Sequence, residues 1–72
     1  MNNKATKFLQ FGRNIYKYRK AKGFSQNQLA EILDISREHL AKIETAKRCA
    51  SLALLFKIAE ALDVEEKKFF EF

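Results

Sequence analysis

The sequence predicts an all-α fold, a single compact domain of five helices over residues 1–72. Three observations carry this. Proline is absent, and only Gly12 and Gly23 interrupt a chain rich in Ala, Leu, Lys, Glu and Ile, a composition that favours helices. Apolar residues recur at spacings of three and four, with no alternating run that reads as a strand. Serine stands before three of the apolar runs, at Ser25, Ser36 and Ser51, where a helix start needs an acceptor for its unpaired N–H groups.

The chain of 72 residues encloses one core and not two. A domain of this size buries only about 60% of the surface its unfolded chain exposes, so a partner subunit would widen a thin stability margin.

The first helix covers about residues 7–21, with Phe8, Phe11, Ile15 and Tyr18 as its buried stripe. Gly23 ends it. Ser25 opens the second helix, and Gln28 completes a capping box in which each side chain accepts a bond from the other residue's backbone N–H. Leu29, Ala30 and Leu33 form its inner face. The pattern stops near Asp34 and restarts after Ile35, with Ser36 as N-cap and Leu40 and Ile43 as the inward pair of a third helix. Beyond the polar, basic residues 45–48, Ser51 caps a fourth helix built on Leu52, Leu55, Ile58, Ala59 and Leu62. Asp63 and Glu66 repeat the cap arrangement before a short fifth helix that finishes in Phe69, Phe70 and Phe72.

The net charge of +5 is uneven: residues 1–48 hold eleven Lys or Arg against four acids, residues 49–72 three against five. Such a basic pole expects a polyanion. Nucleic acid stands ahead of a membrane surface, because no helix is both strongly basic on one face and apolar on the other. Cys49 has no second cysteine to pair with or to share a metal, which suits a reducing compartment. With no apolar span and no apolar signal segment after Met1, the expectation is a soluble cytoplasmic protein. An enzyme is excluded on inventory: the one His and one Cys lie in different segments, no glycine-rich phosphate loop is present, and no carboxylate pair stands out. No cofactor, metal or small-molecule ligand is expected.

Two helices joined by a turn of three or four residues cross at a wide angle, which lets the second enter a major groove while the first lies across the backbone. Here the run Ser25-Gln26-Asn27-Gln28-Leu29-Ala30, then Ile35-Ser36, then Leu40-Ala41-Lys42-Ile43-Glu44 resembles the phage-repressor, or Cro/Xre-type, helix-turn-helix family position by position. The motif core is residues 25–44. The likeness continues through Phe11-Gly12, Ile15 and Arg19 upstream and through Ser51-Leu52, Leu55, Lys57-Ile58-Ala59, Leu62, Val64 and Phe69-Phe70 downstream. What the resemblance implies is a lambda-repressor-like domain of bacterial or phage origin, usually a homodimer, that binds pseudo-palindromic double-stranded operator DNA and regulates transcription, here as a repressor. An antitoxin, or another helical module whose main partner is a protein, is the alternative.

The family places a Gln at the position of Gln26 that clamps a backbone phosphate together with the helix's own N–H groups; a solvated polar residue is the plain alternative. With Leu40 and Ile43 inward, Arg37, Glu38, Ala41 and Lys42 face outward. Arg37 can donate to guanine O6 and N7 or to a phosphate. Glu38 either accepts from a cytosine N4 or holds Arg37 in place. Lys42 reaches a base edge or a phosphate, and small Ala41 permits close approach. Ser36, His39, Thr45, Lys47 and Arg48 are candidates for the sugar-phosphate backbone, His39 being equally a plain surface residue. The resemblance also implies a buried salt bridge between Arg19 and Glu44 that orients the third helix and reads nothing.

Three departures from the family pattern stand out. Asp34 occupies a left-handed turn position usually held by Gly, at a cost of about 1 kcal/mol. Ala46 and Ala50 replace a common Gly and Pro, which predicts a more helical loop. Leu54 and Phe56 do not fit the inward face of the fourth helix. Together with Phe69, Phe70 and Phe72 they predict a dimer interface, or else an enlarged monomer core. Tyr16 and Ile32 are either part of that interface or isolated exposed groups.

Overall fold

The computed structural model describes residues 4–72: helices α1 (Lys4–Lys22), α2 (Gln26–Leu33), α3 (Arg37–Glu44) and α4 (Leu52–Leu62), then one 3₁₀ turn, Glu66–Phe70. The expected fifth helix is therefore only a 3₁₀ turn. Its cause is local. Asp63 serves as the left-handed C-cap of α4 (φ 56°, ψ 48°), so it does not open the next element. Glu65, which does, makes no side-chain cap bond.

Each α-helix start after the first follows from its serine. Ser25 accepts from the Gln28 N–H while the Gln28 side chain accepts from the Ser25 N–H, a complete capping box. Ser36 Oγ accepts from the His39 N–H and Ser51 Oγ from the Leu54 N–H. α1 ends at Gly23, whose φ of 88° suits a residue without Cβ.

Among the described residues, the largest wholly buried side chains are Ile15, Leu29, Leu40, Ile43, Ile58 and Phe69. α1 lies across α3 and the terminal 3₁₀ turn, while α2 packs on α3 and α4. Three assignments change. Phe8 is exposed rather than part of the α1 stripe, for it lies a turn before half-buried Phe11. Leu52 is 66% exposed and Leu54 only 8%. At about 100° per residue, Leu54, Leu55, Ile58, Ala59 and Leu62 share one arc of roughly 140°, and Leu52 falls just beyond its edge at the start of the helix. Leu54 is thus core and unavailable to an interface.

Phe69 is likewise core, at 0% exposure. Its ring meets Tyr18 edge-on (5.7 Å, 88°) and Phe11 (6.3 Å, 71°), geometries that aromatic quadrupoles favour. Asn14 Nδ2 fastens the same segment by donating to the carbonyls of Phe69 (2.9 Å) and Glu71 (3.1 Å). Phe56, Phe70 and Phe72 remain exposed.

Among the described residues, no helix is long and apolar enough to cross a membrane.

Candidate nucleic-acid interface

The two central helices are joined by residues 34–36. Asp34 makes the bend in the left-handed region (φ 59°, ψ 44°) while its N–H bonds back to α2. Asp tolerates that conformation better than most residues with a Cβ. α3 then presents Arg37, Glu38, Lys42 and Thr45 to solvent, with Ala41 half-buried between them and Leu40, Ile43 and Glu44 buried behind. On a helical wheel those five outward positions share one arc. His39 is half-buried at its flank.

The back of α3 is held by charge. Arg19 Nε donates to Glu44 Oε2 at 2.6 Å and its terminal nitrogen to Oε1 at 3.1 Å, while its other nitrogen donates to the Phe24 carbonyl at 2.8 Å. The pair is almost wholly buried, and this bidentate fork is the geometry that offsets the desolvation of two charges. Gln26 Nε2 adds a third bond to Glu44, 2.9 Å to Oε1. One carboxylate thus ties the end of α3 to α1 and to the start of α2. Among the described residues no buried side-chain polar atom lacks a partner.

Gly12 makes the same junction possible. A Cβ there would lie 2.6 Å from the Ile43 carbonyl oxygen and 2.7 Å from that of Glu44, so any larger residue would push α1 off the end of α3. In the sequence the only signal for this role of Gly12 is a glycine inside a helix, where it is otherwise unfavourable. Asn14 was also missed, because its acceptors lie more than fifty residues away.

The remaining candidates differ in how free they are. Ser36 Oγ only accepts within the protein, so its own proton is available. Thr45 Oγ1 donates to the Ala41 carbonyl at 2.8 Å, so its proton is committed unless the hydroxyl turns. Lys47 and Arg48 are exposed, and their backbone N–H groups bond to the Lys42 carbonyl at 2.8 and 3.2 Å. The loop therefore folds back over the end of α3 rather than extending it. The more helical loop expected from Ala46 and Ala50 is not formed, because Ala46 adopts φ 64°, outside the right-handed helical region.

This arrangement offers an outward helix face carrying Arg37, Glu38 and Lys42, braced from behind by Arg19 and Gln26 on Glu44. The helix-turn-helix family HTH_3 matches residues 15–69. The chain belongs to the HTH_3 family. Among curated relatives, an uncharacterised HTH-type transcriptional regulator of Rickettsia conorii is 47% identical over 60 residues, 83% of this chain and 48% of the relative. The chain therefore spans about half the length of that relative.

Among solved structures, the chain is similar to the restriction-modification controller protein C.AhdI from Aeromonas hydrophila (TM-score 0.85, 34% identity, 90% of this chain and 98% of that one). It is also similar to SinR, the master regulator for biofilm formation, solved in complex with DNA (TM-score 0.78, 32% identity, 85% of this chain and 98% of that one). As an HTH_3 member, the chain carries a helix-turn-helix DNA-binding domain of the kind found in transcriptional regulators.

Proposed function

We propose that this protein binds double-stranded DNA sequence-specifically through α3 and represses transcription as a homodimer on an inverted-repeat operator. The observation that carries the reading is the outward arc of Arg37, Glu38, Ala41 and Lys42, locked from behind by the Arg19–Glu44–Gln26 network. A recognition helix gains specificity when it is held rigidly, because base-edge hydrogen bonds are directional.

In this reading Arg37 donates to a guanine, Lys42 reaches a base edge one turn on, and Glu38 accepts from a cytosine N4 or steadies Arg37. Ser36, Lys47, Arg48 and His39 meet phosphates and set register. Gln26 does the same with the amide hydrogen that Glu44 leaves unused. Thr45 joins them only if its hydroxyl turns from Ala41.

Selection of bound sites from a random duplex library tests the whole proposal. The expected product is an inverted repeat with half-sites about 10 base pairs, or roughly 34 Å, apart. Recovery of a lone asymmetric half-site would refute the dimeric part. No enrichment at all would refute specific DNA binding and favour a protein partner.

A further inference from the structure

A depression on the surface joins α1 to the helix-turn-helix: it is lined by Leu9, Arg13 and Tyr16 of α1 together with Gln26, Glu44 and Thr45. Arg13 is exposed, and no carboxylate pairs with it among the described residues. The one carboxylate in the depression, Glu44, is already satisfied by Arg19 and Gln26. The charge left unpaired at this place is therefore positive. Thr45 belongs both to the rim of the depression and to the outward arc of α3. The depression consequently opens beside the reading face and not on the far side of the molecule.

We propose that Arg13 is a DNA-backbone contact supplied by α1: its guanidinium seats a phosphodiester in this depression, next to the phosphate assigned to Gln26. Tyr16 shapes the wall of the seat, its ring held 5.1 Å from the Arg19 guanidinium carbon. The contact fixes how deeply α3 sits in the groove and carries no base preference, since a phosphate is the same in every sequence. The inference rests on the reading of this chain as a DNA-binding protein.

Salt titration of duplex binding separates the two claims. Each phosphate neutralised on B-DNA contributes about 0.9 to the slope of log K against log salt. Arg13→Gln should therefore lower that slope by about 0.9 and weaken binding about eightfold at 0.1 M salt, by the same factor for the selected operator and for a random duplex. Arg13→Lys should keep the slope, because the charge remains. Lys57→Gln, which removes an exposed charge from α4, should behave as wild type. A thermal melt of Arg13→Gln equal to wild type excludes misfolding as the cause. Wild-type protein that binds no duplex would overturn the DNA reading and this inference together. Wild-type binding with an unchanged slope in Arg13→Gln, or a loss confined to one base pair of the operator, would overturn the inference alone.

Discussion

Gly12 and Arg19 secure one joint from two directions, and their substitutions should fail for different reasons. In Gly12→Ala the added carbon would sit 2.6 Å from a backbone oxygen of α3, which cannot swing aside as a side chain would. Replacing a mid-helix Gly normally gains up to about 1 kcal/mol, but overpacking of this kind costs about 1–3 kcal/mol. Sterics should win. The expected outcome is a lower urea midpoint together with weaker DNA binding, and a variant as stable as wild type would mean the crossing has slack. Arg19→Met leaves Glu44 charged and buried, for a loss of about 3–5 kcal/mol. Gln26→Ala removes one of three bonds to the same carboxylate but leaves the charge paired, so its loss should be nearer 1.5 kcal/mol. Chemical denaturation that failed to rank Arg19→Met well below Gln26→Ala would contradict this division of labour.

Among the described residues, three non-glycine residues sit at positive φ, each at the end of a helix or in the turn just after one: Asp34 (59°), Ala46 (64°) and Asp63 (56°). Ala gains nothing from its side chain there, and the left-handed region costs it about 1–2 kcal/mol. Introducing Gly adds unfolded-state entropy worth about 0.4–1 kcal/mol. Ala46→Gly should therefore stabilise by roughly 0.5–1 kcal/mol, whereas Asp34→Gly should change little because Asp already tolerates the conformation. Differential melting of the two variants checks this. What could be read in advance at this scale was the chemistry that acts over three or four residues. Ser25 with Gln28, Ser36, Ser51 and the Asp34 bend are all of that kind. The loop at Ala46 was misread because its turn is set by bonds from residues 46–48 back onto α3, which no local preference of Ala encodes. Leu52 and Leu54 were exchanged because both lie at the margin of the α4 arc, where only the neighbouring elements decide which is covered. On α3 the same inward pair, Leu40 and Ile43, made the outward arc legible, but the depth at which α1 meets it was not.

At the scale of the molecule the aromatic end divides into two populations that periodicity could not separate, since Phe69 and Phe70 are adjacent and the segment is too short to show a repeat. Phe69 is sealed in the core, while Phe70 and Phe72 are 52% and 57% exposed. With Phe8, half-buried Phe11 and Lys7 they line an apolar cleft beside the N-terminal part of α1. Exposed apolar surface gathered in one place is the kind that interaction sites use. In the homodimeric reading these exposed rings, together with Phe56, are the surface that pairs two copies. Phe69→Ala should cost about 3–5 kcal/mol, as loss of a core aromatic does, a large part of the roughly 5–15 kcal/mol typical of a whole domain. The doubly substituted Phe70→Ser, Phe72→Ser chain removes only exposed rings, so it should keep its helical circular dichroism. Its sedimentation should change instead, from dimer to monomer. Because a two-fold dimer reads two half-sites at once, the same variant should bind an isolated half-site as wild type does yet lose the advantage of the inverted repeat. A wild-type chain that sediments as a monomer would remove the dimer from the proposal while leaving α3 as the reading helix. A doubly substituted chain that stays dimeric would move the interface to another face of the molecule.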